Sequence, residues 1–191
     1  MTKINNFRKI LNSNPHLGSI LQALNSNVKY GLFAGAYVSI ITSNRLPTDI
    51  DILIADKDYE KLESLFPRSK IIQKPDVKLF YPYKDPSIEF IANLSIDIGS
   101  HHYQFRLSEL AWKNTTVLNE GKHSIRLCNP VDTIILKSML QRGTNEEKHD
   151  LDDIKKLKNK IQINKEYLFK RLSEVNSDKR ITAILKRFEM L

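Results

Sequence analysis

The sequence predicts an α+β (α/β) protein, a mixed and mostly antiparallel sheet with flanking helices and a helical bundle at its C-terminal end. Three observations carry this. Residues 28–55 hold an apolar run, a Gly turn, a small apolar segment and a second apolar run, which is a strand–helix–strand pattern. Residues 69–94 hold three further runs rich in β-branched and aromatic residues. From Pro130 onward the apolar residues recur at the helical period. The expected division is a domain of residues 1–129 with a helical region, 130–191, packed on it.

Taken in order, residues 4–12 and 16–25 read as two helices. Leu17, Ile20, Leu21 and Leu24 repeat at helical spacing, and Pro15 suits a helix start. Residues 28–34 read as the first strand, and Gly35 turns it into a helix reaching about Ser43. Residues 48–55 read as the second strand. Within it Asp49 and Asp51 alternate with Ile50, Ile52 and Ile54. Strand geometry puts the two acids on one face, ~7 Å apart, and turns the isoleucines into a core. Carboxylates so placed repel each other and resist desolvation. A divalent cation relieves that. Mg²⁺ suits few protein oxygens, because it keeps waters and takes substrate phosphates as further ligands. Gly35 supplies the complement. A glycine at a strand-to-helix turn lets the backbone approach a phosphate, and the helix start offers unpaired N–H groups.

These residues resemble the motif of the DNA polymerase beta-like nucleotidyltransferase superfamily, in which a Gly followed by Gly or Ser precedes Asp-x-Asp on a strand. The run Gly35, Tyr37, Arg45, Thr48, Asp49, Ile50 and Asp51 is similar to that of the minimal nucleotidyltransferases of prokaryotes. Ala36 departs from the pattern, standing where Gly or Ser is usual; it keeps an N–H and lacks a hydroxyl. The resemblance implies the nucleotidyltransferase fold. It also implies Mg²⁺ (or Mn²⁺) held by Asp49, Asp51 and a third carboxylate, with a nucleoside triphosphate as substrate. Gly35, Ala36, Arg45 and Thr48 then serve the nucleotide. A nucleoside monophosphate passes to an acceptor hydroxyl and pyrophosphate leaves. Haloacid-dehalogenase-type phosphatases also carry Asp-x-Asp, but want Thr or Val where this chain has Leu53.

Residues 56–65 read as a surface helix with Asp56 as N-cap and Leu62, Leu65 and Phe66 facing the core; Pro67 ends it. Strands are expected at 69–74, 77–83 and 87–94. Glu89 is an acid inside the last of these apolar runs, and superfamily members place their third carboxylate on such a strand. Asp97, also flanked by apolar residues but near a turn, is its rival. His101 and His102 are adjacent on a strand, so they point to opposite faces and do not share an ion. Trp112 is expected to pack under a short helix. Residues 116–118 and 124–127 flank a hairpin turn at 119–122.

The helix after Pro130 carries Val131, Ile134, Ile135, Ser138 and Met139 on one face, with Gly143 as its C-cap. Leu136 and Lys137, Arg142, Lys148 and the acids of 150–153 are similar to a stretch of minimal nucleotidyltransferases and abortive-infection-type toxins. That resemblance implies that Lys137 or Lys148 reaches nucleotide phosphates, while Asp150 and Asp153 suit helix-start charges and salt bridges. Ile181, Ile184, Leu185 and Phe188 mark a last helix.

At 41% hydrophobic and 27% charged residues, the 191-residue chain has the balance of a soluble globular protein. Its single cysteine, Cys128, excludes an internal disulfide and a Cys-based zinc site, and reads as a core residue. Residues 1–16 lack the apolar core of a signal peptide and no apolar run approaches ~18 residues, so a cytoplasmic protein is expected. The net charge is +8, and residues 137–191 carry 14 Lys and Arg against 9 Asp and Glu. That asymmetry suits an acidic partner, RNA (tRNA included) or an acidic protein, and equally suits plain solvated helix faces. A second functional class therefore stays open: a catalytically weak or inactive nucleotidyltransferase-fold module in a toxin–antitoxin-like pair or in RNA binding. A different metal-dependent phosphotransfer or nuclease activity on the same acids is a third.

Overall fold

The computed structural model describes residues 2–42, 45–67, 70–74, 77–83, 87–143 and 148–191, with backbone alone for 70–74, 77–83 and 87. Two helices, α1 (Lys3–Ser13) and α2 (Leu17–Asn27), precede the first strand, β1 (Tyr30–Leu32). Then come α3 (Ala34–Thr42) and β2 (Asp49–Ile54). β3 (Lys70–Lys74), β4 (Val77–Tyr83) and β5 (Ser87–Ile91) follow a short helix, α4 (Lys61–Leu65). A two-stranded sheet of β6 (Asn93–Ile98) and β7 (His101–Arg106) comes next, then α5 (Glu109–Lys113) and the hairpin β8 (Thr116–Glu120) and β9 (His123–Leu127). Four helices close the described chain: α6 (Pro130–Leu140), α7 (Asp150–Lys158), α8 (Lys165–Glu174) and α9 (Lys179–Arg187).

The main sheet has the order β3-β4-β5-β2-β1-β9-β8. β2 runs parallel to β5 and β1 parallel to β9; the other four pairings are antiparallel. This is the expected mixed, mostly antiparallel sheet. Its centre is apolar on the core face: Ile50, Ile52, Ile54, Ile88 and Phe90 are buried. One continuous core joins these residues to Ile134 and Ile135 of α6 and to Leu168 and Ile181 of the last two helices. Cys128 is buried in it. No helix among the described residues is long and apolar enough to cross a membrane.

Several elements differ from their sequence expectation, each for a local reason. The helix expected over 56–65 splits into a 3-10 turn at Asp56–Asp58 and the short α4. Asp58 causes the split. It turns inward and accepts hydrogen bonds from the Lys29 amide (2.8 Å) and Lys61 Nζ (2.6 Å), so the chain cannot run on as one helix. Asp56 makes no side-chain cap. β5 stops at Ile91, and the chain crosses at Ala92 into the second sheet, where Gly99 makes the hairpin turn at φ 59°. Trp112 belongs to α5 and lies half-buried, with the Arg126 guanidinium 4.3 Å from its ring centre. α6 begins on a Pro130 start capped by Asn129, whose Oδ1 accepts the Val131 N–H at 3.0 Å. It is buried almost all round instead of on one face, and it ends at Gln141 (φ 51°) instead of Gly143. The Asp150 carboxylate accepts the Arg142 N–H at 3.0 Å, which holds the chain just past that end.

A buried ion pair ties α8 to α6. Arg171, 1% exposed, donates from Nε to Asp132 Oδ1 at 2.7 Å, and Tyr167 Oη donates to Asp132 Oδ2 at 2.9 Å. The same guanidinium reaches Glu174, the Arg106 carbonyl (3.2 Å) and Ser108 Oγ (3.3 Å), and it lies 5.4 Å from the Phe105 ring. Phe105 in turn stacks on Phe33 at 5.8 Å and 13°. Removing one partner of such a pair strands a charge in the core. Arg171→Ala is expected to lose about 3–5 kcal/mol in urea unfolding, whereas Arg171→Met with Asp132→Leu is expected to recover most of it. Equal losses in the single and double variants would show that packing, not charge, is what Arg171 contributes.

Candidate active site

β2 and β5 set the acids. Asp51 lies directly opposite Glu89 in the parallel register, and Asp49 opposite Ser87. Alternation puts Asp49 and Asp51 on one face while Ile50 and Ile52 enter the core. Asp49, Asp51 and Glu89 line one cavity of about 450 Å³. The carboxyl of Asp51 is pushed up to about 7. Burial is the main cause, and the negative charges of Asp49 and then Glu89 add to it, against the pull of Lys137 and Lys148. Asp97 stands apart. It lies in the second sheet, its side chain 74% exposed, with Oδ1 2.7 Å from His102 Nδ1. His101 instead meets Asp178 at 3.0 Å, so the two histidines diverge as strand alternation requires.

The opposite wall is the start of α3. Here the left-handed backbone falls on Ala34 (φ 53°), one residue before the glycine singled out from sequence. The Ala34 N–H donates to Thr133 Oγ1 of α6 at 3.1 Å, and the Phe33 N–H to the Asp51 carbonyl at 3.2 Å. The next two amides, of Gly35 and Ala36, have no acceptor among the described residues and open the helix as orphan donors. A Cβ on Gly35 would come within 3.9 Å of Asp49 Oδ1, so the glycine keeps the space between these amides and the acids clear. The Ala36 side chain is 0% exposed and points into the core, so only its amide is placed to serve a ligand.

The helical region supplies the cations. Lys137 is buried in an ion-pair cluster with Asp150 Oδ1 (3.0 Å) and Asp153 Oδ2 (2.9 Å). Arg142 Nε meets Asp150 Oδ2 at 2.9 Å, and Arg45 meets Asp153 Oδ2 at 3.3 Å. Burial works to raise the Asp150 carboxyl, but the Arg142 hydrogen bonds and the Lys137 charge outweigh it and hold it low. Lys148 lines the cavity with no ion-pair partner among the described residues. Thr48 sits exposed on the rim. Leu94 and Ile96 of β6 and Leu136 and Leu140 of α6 make an apolar wall.

The sequence-named residues Gly35, Arg45, Thr48, Asp49, Asp51, Glu89 and Lys137 thus border one cavity, while Ala36, next to Gly35 in α3, is buried and does not line it. Thr133, which anchors the turn, was not singled out from sequence; its signal was a hydroxyl inside the apolar run of α6. Among the described residues no three His, Cys, Asp or Glu side chains already form a metal cage. The donor chemistry nevertheless fits a hard divalent cation. Three carboxylates repel one another across one cavity wall, and an ion that keeps waters and takes phosphate oxygens needs no closed cage.

No family model matches the chain, and no curated protein matches it. Solved structures do. An antigenic nucleotidyltransferase-like protein from Paracoccidioides brasiliensis superposes over 92% of this chain and 88% of its own, with 18% identity and a TM-score of 0.54. The lincosamide antibiotic adenylyltransferase LnuA, with lincomycin bound, covers 78% of this chain and 98% of its own at 17% identity and a TM-score of 0.51. ANT(2")-Ia in complex with adenylyl-2"-tobramycin covers 91% and 97% at 12% identity and a TM-score of 0.55. At these identities the likeness concerns architecture, and on that ground the chain carries the nucleotidyltransferase fold.

Proposed function

We propose that the protein is a metal-dependent nucleotidyltransferase that moves a nucleoside monophosphate from a nucleoside triphosphate to an acceptor hydroxyl. The observation that carries this is the cavity itself, lined by Asp49, Asp51 and Glu89 and by Gly35, where the Gly35 and Ala36 amides at the start of α3 have no acceptor among the described residues. The fold shared with two adenylyltransferases supports it and makes the adenylyl group the first to test.

In this reading the Gly35 and Ala36 N–H groups hold the β- and γ-phosphates, since a helix start gathers donors and positive potential. Lys148, which has no ion-pair partner among the described residues and whose charge acts on Asp51, adds a further cation. Lys137 and Arg142, braced by Asp150, shape the field, and Arg45 and Thr48 close the rim. The apolar wall of Leu94, Ile96, Leu136 and Leu140 takes the base. The acceptor oxygen attacks the α-phosphorus, the bond to the bridging oxygen breaks, and pyrophosphate leaves. The acceptor proton passes to the carboxylate of Glu89, which faces Asp51 from the next strand. Mg²⁺ or Mn²⁺, held by Asp49, Asp51 and Glu89, would supply neutralisation of the charge on the reacting phosphate oxygens.

A second reading rests on one observation: Arg45, Lys137 and Arg142 are each already engaged by Asp150 or Asp153. That arrangement suits a module that holds a nucleotide without transferring it, as a partner in a toxin–antitoxin-like pair or in RNA binding. Product analysis separates the two, because pyrophosphate release belongs only to the first.

Titration of each ribonucleoside triphosphate by calorimetry is expected to show binding that requires Mg²⁺. Asp49→Asn with Asp51→Asn is expected to weaken it by at least about a hundredfold. Metal-independent binding that survives the double substitution would overturn the proposed role of the acids. The acids also make a stability prediction in metal-free buffer. The Asp51 carboxyl is raised in the folded protein, so its favourable proton uptake is present at low pH and is lost as pH rises through about 7. Asp51→Asn is therefore expected to be more stable than the wild type at pH 8, by roughly 2–4 kcal/mol, and to lose that advantage progressively as pH falls from 7 to about 4. Mg²⁺ must displace the same proton, so its stabilisation of the wild type should fall by up to about tenfold in affinity per pH unit below 7. A pH-independent Mg²⁺ effect would place the ion elsewhere.

A further inference from the structure

α6 runs along the cavity from its phosphate corner. Thr133, in the first turn of α6, accepts the Ala34 N–H at 3.1 Å, and Leu136, Lys137 and Leu140 follow at helical spacing as lining residues. Thr133 and Leu140 are ~10 Å apart along the helix axis. Arg142, two residues past the helix end, lines the same cavity. It therefore belongs with Leu136 and Leu140, the wall read above as the seat of the base, and not with the Gly35 and Ala36 amides.

The Arg142 guanidinium is held in one plane. Its Nε donates to Asp150 Oδ2 at 2.9 Å and its Nη2 to Asp150 Oδ1 at 3.4 Å. This fork matches the charge of Arg142 with one carboxylate. The Asp150 side chain is 1% exposed and its oxygens are further occupied, Oδ1 by Lys137 Nζ at 3.0 Å and Oδ2 by the Arg142 amide at 3.0 Å. The Arg142 side chain is 36% exposed, and its Nη1 has no hydrogen-bond partner among the described residues. What Arg142 has left to offer is therefore Nη1 and the outer N–H of Nη2, two donors side by side and no acceptor. With its charge already matched, it suits a neutral carbonyl better than a phosphate.

We infer that Arg142 selects the base, and that the site takes nucleoside triphosphates with a keto base over those with an amino base. Guanine and hypoxanthine present O6 and N7 to the two donors, and uracil presents O4. Adenine and cytosine carry an amine on that edge, so donor meets donor, and a desolvated donor left unpaired is costly. Among the lining side chains, Thr48 stands on the rim and His149 is the one remaining group able to accept that amine. The inference departs from the adenylyl group that the shared fold makes the first to test. It rests on the cavity being the nucleotide site proposed above, and it concerns binding alone, so it stands whether the nucleotide is transferred or only held.

The test compares nucleotides that differ as keto against amino, on the full chain with Mg²⁺. By competition calorimetry, inosine triphosphate is expected to bind about tenfold more tightly than ATP, and UTP about tenfold more tightly than CTP. Arg142→Gln, whose amide both donates and accepts, is expected to bring both ratios below about twofold, while His149→Ala leaves them unchanged. Where Arg142→Gln does not fold, Arg142→Lys takes its place; its ammonium keeps the ion pair with Asp150 and has no second donor group, so the same fall is expected. Equal affinities, or a preference for ATP and CTP, would overturn the inference and leave the nucleotide site standing. A preference that survives the loss of Arg142, or disappears with His149, would overturn the role of Arg142. Binding of none of the four would remove the nucleotide site, and the inference with it.

Discussion

The parallel register between β2 and β5 is the constraint on which the site depends. With Asp51 opposite Glu89, the alternation of both strands sends acids to the cavity and Ile50, Ile52, Ile88 and Phe90 to the core. A slip of one residue would exchange those faces on the slipped strand, burying carboxylates among isoleucines. The apolar side therefore enforces the register, and the acidic side inherits its geometry. That explains how three mutually repelling groups are held side by side: the repulsion raises the Asp51 carboxyl, but core burial on the opposite face outweighs it.

The helical region belongs to the site as much as the sheet does. α6 contributes Thr133, which fixes the turn before α3, and Lys137, which is buried against the first turn of α7. Asp150 and Asp153 satisfy Lys137 from one side, while Arg142 and Arg45 approach from the rim. Further out, Arg171 locks α8 to Asp132 on the same α6 and presses on Phe105, which stacks on Phe33 at the mouth of the turn. Charge pairs and ring contacts thus run from the C-terminal helices to the start of α3 without a break.

Much of this was legible in the sequence, and the pattern of what was not is physical. Asp49 and Asp51 could be placed on one face because strand alternation needs no tertiary information. Sequence favours Glu89 over Asp97 only narrowly, because both are acids between apolar residues. Only the strand order puts one beside β2 and the other in a separate hairpin. The end of α6 was misplaced because Gly143 has the right chemistry for a cap, while Gln141 takes the left-handed position through a long-range bond from Arg142 to Asp150. The break in the helix at 56–65 has the same origin, an inward Asp58 whose partners are the Lys29 amide just before β1 and Lys61 at the start of α4. Local rules succeed where neighbours in sequence decide, and fail where a charge is satisfied across the fold.

The left-handed Ala34 shows what such a fold does with backbone energy. An L residue there costs about 1 kcal/mol relative to an ordinary conformation, and glycine would avoid it. The turn keeps its shape because Thr133, the Asp51 carbonyl and the Phe33–Phe105 stack over-determine it. The Gly35 and Ala36 amides are therefore aimed before any anion arrives. A ligand meeting them would give up its own freedom of motion, while the protein has already surrendered its share during folding, so binding at this corner would rest on preorganisation rather than on the number of contacts.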